Sequence, residues 1–170
     1  MENYILKSDA YKQTHWPMYD KTIRFIYSYL EARGGYSRDT VVFGLQMVLK
    51  DHFEGVKVEQ WMIDDADNEM LEIFGTREYF NRAGWQRIVD VHGGRLPLEI
   101  KAVPEGTILP VSNAIITVVN TDPELPWLTN WAETLLLHVW HPITVATTSY
   151  NFNMIGKKYA EMSGQALSPV

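Results

Sequence analysis

From Leu98 to Val103 the hydrophobic period is two, and with the β-branched run that follows at Ile115 to Val119 this points to a sheet. Leu98-Glu99-Ile100-Lys101-Ala102-Val103 alternates apolar and polar side chains, Pro104-Glu105-Gly106 supplies turn chemistry, and Ile115 to Val119 is a β-branched run. This predicts a meander of short antiparallel strands. Helical spacing governs most of the remaining sequence, so the expected class is α+β, with short, mostly antiparallel strands packed with several helices.

Thr22 to Leu30 mixes β-branched and aromatic residues (Ile23, Phe25, Ile26, Tyr27, Tyr29) and meets Gly34-Gly35, which predicts a further strand running into a turn. From Thr40, apolar residues at Val41, Val42, Leu45, Val48, Leu49 and Phe53 recur with helical spacing, and Gly55 is placed to end that helix. A helix is expected over Glu59 to Phe74, with Met62, Ala66, Met70 and Phe74 on one face, Asp64, Asp65, Asp67 and Asn68 elsewhere, and Gly75 as its stop. Asn81 reads as the N-cap of a shorter helix through Trp85, Ile88 and Val89 that ends at Gly93-Gly94.

Downstream, Asp122-Pro123-Glu124 resembles a helix start, with an N-cap acid, a proline at the opening position and a second acid in the dipole-favoured turn. Leu128, Ala132, Leu135, Leu136 and Val139 then supply an apolar face. Pro142 interrupts this helix because its ring cannot donate a backbone hydrogen bond. A second helix is expected from about Thr148 to Met162, stopping at Gly164.

No repeat, low-complexity tract or linker divides the 170 residues, so one domain over 1–170 is expected. Hydrophobic residues form 46% of the chain and charged residues 21%, a balance that folds rather than staying disordered. The net charge of −6 comes without a Lys/Arg stripe, which argues against nucleic acid and anionic membrane as partners. With 0 cysteines, disulfides, thiolate metal sites and a cysteine nucleophile are excluded, in agreement with a reducing cytoplasm. Met1-Glu2-Asn3-Tyr4-Ile5-Leu6-Lys7 shows no secretory pattern, so a cytoplasmic setting is expected. The greasiest stretch, Trp127 to Ala146, is broken by Asn130, Glu133, His138, His141 and Pro142, and reads as a buried helix rather than a bilayer span.

The sequence has no Gly-rich phosphate loop, no Gly-x-Ser-x-Gly elbow and no His-Glu-x-x-His. His138 and His141, three apart, could share a helix face as a metal pair, but a third ligand at useful spacing is not evident and Leu137 and Trp140 point to packing. Asp64, Asp65 and Asp67 lack the spacing and closing glutamate of a calcium loop, so a solvated helix face is the better reading. Asp9-Ala10-Tyr11-Lys12-Gln13-Thr14-His15 gathers an acid, an aromatic, a base and an imidazole. From the residues alone it is equally a surface turn or a ligand contact. Arg33, beside Gly34-Gly35, is open to both readings as well.

Those residues also carry a resemblance. Asp9 to His15, Val42-Phe43-Gly44-Leu45-Gln46, and the block Leu96-Pro97-Leu98-Glu99-Ile100-Lys101-Ala102-Val103-Pro104-Glu105-Gly106 are similar to the amino-terminal part of nicotinamide phosphoribosyltransferases. Asn120-Thr121-Asp122-Pro123-Glu124, Trp127-Leu128-Thr129-Asn130-Trp131 and Pro142-Ile143-Thr144-Val145-Ala146-Thr147 continue it in the same order, from about Leu6 to Gly164. Several distinct blocks in one order are far more specific than any one short motif.

The resemblance implies phosphoribosyl transfer from phosphoribosyl pyrophosphate to nicotinamide, with Mg2+, giving nicotinamide mononucleotide for NAD salvage. It implies a homodimer whose active sites lie between subunits. Tyr11 matches a tyrosine that stacks on nicotinamide in the partner's site, Arg33 an arginine near the substrate phosphates, and Asp9, more weakly, an acid near the same ligand. The family continues beyond Ser163-Gly164 into a barrel that carries the residues around nicotinamide, the phosphate cradle and a phosphorylatable histidine. No catalytic residue and no magnesium ligand is therefore expected within this chain, and 148–170 is expected to lead into the barrel. The alternative is a catalytically inactive module that dimerises with a full-length enzyme or regulates it.

Overall fold

The computed structural model describes residues 2–55 and 57–164. An amino-terminal arm runs through a 3₁₀ turn (Tyr4–Lys7), a one-turn helix α1 (Ala10–Gln13) and a second 3₁₀ turn (Trp16–Met18). Strands β1 (Tyr27–Glu31) and β2 (Asp39–Val41) and helices α2 (Leu45–His52), α3 (Gln60–Phe74) and α4 (Arg82–His92) follow. The chain goes on through β3 (Leu98–Ala102), β4 (Ile108–Pro110), β5 (Ala114–Asn120), α5 (Leu128–Leu136), a 3₁₀ turn (Leu137–Val139) and α6 (Trp140–Ser163). The class is α+β, as the sequence predicts.

β5 is the centre of a three-stranded antiparallel sheet, with β1 on one side (Tyr29 opposite Thr117) and β3 on the other (Ile100 opposite Val118). The expected meander is broken in one respect: β4 leaves this sheet and pairs with β2, Thr40 opposite Leu109. The turn at Pro104–Gly106 redirects the chain, and Gly106 and Thr107 then exchange backbone hydrogen bonds with Val42. This also corrects the helix expected from Thr40. Val41 and Val42 suit either period, and the ladder partner at 106–109 decides for strand. The helix itself waits until Leu45, after Gly44 turns the backbone at φ +88°, and it ends at His52, short of Gly55.

β1 begins at Tyr27, not Thr22. Asp20 takes the Thr22 amide at 2.8 Å, and the Asn120 side chain accepts from Ile26 N and donates to the Arg24 carbonyl, both at 2.8 Å. Backbone groups committed to side chains are not free for a ladder.

α3 and α4 lie where local signals place them. Asn81 caps α4 by accepting from Gly84 N at 3.0 Å, and α3 and α4 close at Gly75 and Gly93. On α3, Ile63 joins Ala66 and Met70 in the core while Met62 is only half-buried. Asp122-Pro123-Glu124 forms a turn rather than a helix start. The Asp122 carboxylate accepts from Glu124 N at 2.9 Å, but Pro126 holds Leu125 out of helical geometry, so α5 starts at Leu128. The break before α6 falls upstream of Pro142, in the 3₁₀ turn that spans His138, the residue whose carbonyl a Pro142 N–H would have met. α6 therefore starts at Trp140 rather than Thr148 and runs unbroken to Ser163, with Gly164 as its cap. Of the segment expected to lead into a further domain, 165–170 lie outside the described residues.

The greasiest stretch of the sequence is the hub. Leu128, Trp131, Ala132, Leu135 and Leu136 of α5 are all buried. Trp131 and Trp127 meet the fully buried Trp85 of α4 edge-on, each with ring centroids 5.0 Å apart. A second apolar cluster joins Val42, Leu45 and Val48 to Ile115, Ile116, Val139 and Ile143. Among the described residues no helix is long and apolar enough to cross a membrane.

Candidate functional site

The arm that carries Tyr11 is laid onto α5 by polar contacts at Ile5, Ser8, Asp9, Lys12 and His15. Ser8 Oγ donates to the Trp131 carbonyl at 2.9 Å, and Gln13 Nε2 and Trp131 Nε1 both donate to the Ile5 carbonyl. Asp9 stands at the N-cap of α1 but does not cap it. Its Oδ2 instead accepts from Thr134 Oγ1 at 2.7 Å and lies 3.8 Å from Lys12 Nζ. Lys12 is buried, and its ammonium meets Glu133 Oε2 at 2.7 Å. Four residues are too few for a stable helix on their own, so α1 owes its geometry to this docking.

Tyr11 is what the docking presents. Its ring is 57% exposed, edge-on to His15 with centroids 5.3 Å apart, and Lys12 Nζ lies 5.9 Å from its centre. Asn130 Nδ2 donates to His15 Nδ1 at 2.8 Å, which places the proton of a neutral His15 on Nε2. Burial pushes the neighbouring Tyr19 hydroxyl up, opposed by a hydrogen bond from Asn130.

Arg33 is exposed in the loop after β1. It lines a cleft of about 410 Å³ between the sheet (Ser28, Leu30, Ile116, Val118) and α5, whose Asn130 and Glu133 line the same cleft. α5 is therefore a shared platform: the two side chains that hold His15 and Lys12 also face the cleft bordered by Arg33. Arg33 borders a second groove as well, of about 910 Å³, between the loop and α6, with Arg38, Ser37, Thr144 and Thr148.

The structure thus brings Asp9 and Tyr11 onto one turn and connects Arg33 to them through α5. In the sequence Asn130 and Glu133 interrupt an apolar run, and Asn130 also falls in a block that carries the family resemblance. Their spacing of three on an otherwise buried helix was the available signal. Asp64 and Asp67 are taken up by arginines, Asp64 by Arg82 and Asp67 by Arg77 at 3.2 Å and Arg82 at 3.4 Å, and Asp65 accepts from Asn3. His138 faces His52 rather than His141.

The profile of the family described as "Nicotinamide phosphoribosyltransferase, N-terminal domain" matches residues 3–100. The chain is 41% identical over 161 residues to a protein of Xanthomonas campestris pv. campestris named nicotinamide phosphoribosyltransferase, covering 95% of this chain and 34% of that protein. It is 28% identical to a protein of the same name from Acinetobacter baylyi, over 95% of this chain and 35% of the relative. A third, from Mycoplasma pneumoniae, is 26% identical over 92% of this chain and 39% of the relative. The chain spans about a third of the length of the curated relatives it matches. With the family profile covering more than half of its residues, the chain belongs to the nicotinamide phosphoribosyltransferase N-terminal domain family.

Proposed function

We propose that this chain is the amino-terminal part of an enzyme that transfers phosphoribosyl from phosphoribosyl pyrophosphate to nicotinamide in NAD salvage, and that it lends Tyr11, Arg33 and Asp9 to the site of a second subunit. In that reaction the bond from the ribose anomeric carbon to pyrophosphate breaks, a bond to the pyridine nitrogen forms, and pyrophosphate leaves with the bonding pair. The observation that carries the reading is the Tyr11 ring, open to solvent on a turn whose Asp9 and Lys12 side chains are fixed to α5.

A flat aromatic face suits a flat pyridine and suits the product better, because the ring becomes a cation attracted to the π-cloud. Arg33, exposed at the rim of a cleft, offers a planar fork to phosphate oxygens. Asp9, tied to Thr134 and Lys12, fixes the start of the turn and adds a carboxylate beside it. Among the described residues no three carboxylate or imidazole side chains are grouped as a metal site. Magnesium enters this reading with phosphoribosyl pyrophosphate, held by groups outside this chain. Residues 148–170 lead into the barrel, and the working form is a cytoplasmic homodimer.

The test supplies the remaining barrel of a relative on a second polypeptide and measures nicotinamide mononucleotide formation. Activity restored by the wild-type chain, with nicotinamide KM raised by Tyr11→Ala and phosphoribosyl pyrophosphate KM raised by Arg33→Lys, is the expected result. Inhibition of an intact enzyme without complementation assigns the chain to a regulatory module. Complementation with an unaltered nicotinamide KM in Tyr11→Ala removes the stacking role.

A further inference from the structure

We propose that His52 and His138 form a two-imidazole site for a borderline transition-metal ion, Cu2+, Ni2+ or Zn2+. His52 is the last residue of α2, and His138 lies in the 3₁₀ turn between α5 and α6. Their facing nitrogens, His52 Nε2 and His138 Nδ1, are 3.3 Å apart, with rings inclined at 62°. Two nitrogens each about 2.0–2.1 Å from one ion at a tetrahedral angle stand about 3.3–3.4 Å from each other. The same separation is long for a hydrogen bond between the rings, since N–H contacts of full strength fall at about 2.7–3.2 Å.

The pair is held from both sides. The Tyr4 hydroxyl donates to the His52 carbonyl, and Val48 of α2 and Val139 beside His138 belong to one buried cluster. His52 Nδ1 is buried and without a partner, so Nε2 is the nitrogen that the ring offers outward.

With two protein ligands and no third among the described residues, water completes the coordination shell. Imidazole ligands select Cu2+, Ni2+ and Zn2+ over the hard, oxygen-seeking Mg2+. The site is therefore separate from the magnesium of the proposed transfer reaction and stands whether or not that reaction is correct. A bound ion would clamp the end of α2 to the junction of α5 and α6.

Isothermal titration of the 170-residue chain with each ion in a non-chelating buffer tests this. One ion per chain is expected, with Cu2+ bound most tightly and no heat from Mg2+. His138→Gln, a change at an exposed position, should weaken binding by at least about tenfold, as should His52→Gln. His141→Gln should leave it unchanged. Electron paramagnetic resonance of the Cu2+ form should show hyperfine coupling to two imidazole nitrogens, reduced to one in His138→Gln. Wild-type affinity in His138→Gln, or no binding of any of the three ions, would overturn the site and leave the pair as a weak ring-to-ring hydrogen bond.

Discussion

Lys12 Nζ, at the end of a side chain only 2% exposed, meets Glu133 Oε2 at 2.7 Å, and through this pair the turn bearing Tyr11 is fastened to α5. Glu133 is half in water, so the pair lies between a surface bridge and a buried one. Glu133→Gln leaves the ammonium with Asp9 at 3.8 Å as its remaining carboxylate partner. Loss of about 1–2 kcal/mol of stability is expected, read from urea unfolding. Trypsin should also cut after Lys12 faster in the variant, because the arm opens more often. Unchanged cleavage and stability would show that the clamp resides in the other contacts of the arm.

Acid should unfold the chain partly through Asp122. Burial pushes this carboxyl up, but hydrogen bonds from Arg87, His92 and the Glu124 amide, together with the Arg87 charge, prevail and hold it at about 2. A carboxyl lowered on folding stabilises above its unfolded value near pH 4, and that contribution disappears as pH falls towards 2. It amounts to about 2 kcal/mol at neutral pH. In Asp122→Asn the stability profile should lose part of its slope between about pH 4 and pH 2, leaving the share of other lowered carboxyls such as Asp64. An acid limb identical to wild type would contradict this.

Gly44 joins β2 to α2 at φ +88°, and a Cβ there would lie 2.6 Å from Pro142 Cγ and 2.7 Å from Pro142 Cβ. Gly44→Ala combines a left-handed backbone with a collision against a ring that cannot rotate away. A loss of about 2–4 kcal/mol is expected from thermal or urea unfolding. A variant within error of wild type would mean that α2 and α6 separate at little cost.

The chain should self-associate. Phe152, Ile155, Tyr159 and Met162 of α6 are all at least half exposed, and Phe25, Tyr27 and Tyr29 stand out from the sheet edge. Aromatic and aliphatic surface of this extent seeks cover. Light scattering should give a mass that rises with concentration, and a constant monomer mass would refute the expectation.

Local chemistry was readable and distant pairing was not. Asn81 and Gly93 bracket α4 by rules that act within a few residues, so its bounds follow from the sequence. Val41 and Val42 satisfy both periods, and their ladder partner near Thr107 is invisible to any local window. Asp122 offers the same carboxylate to a turn and to a helix, and the choice rests on Pro126 and on Arg87 and His92 of another element. At the candidate site, Tyr11, Arg33 and Asp9 stood out through family resemblance. The groups that seat Tyr11 did not, because Asp9 and Thr134 are 125 positions apart and nothing near either one announces the other.

That separation has a consequence for synthesis. The arm leaves the ribosome well before α5, yet Ser8 needs Trp131 and Asp9 needs Thr134, more than 120 positions later. Until α5 emerges the Tyr11 turn lacks these anchors, and a nascent chain stalled before α5 would display it to proteases and chaperones.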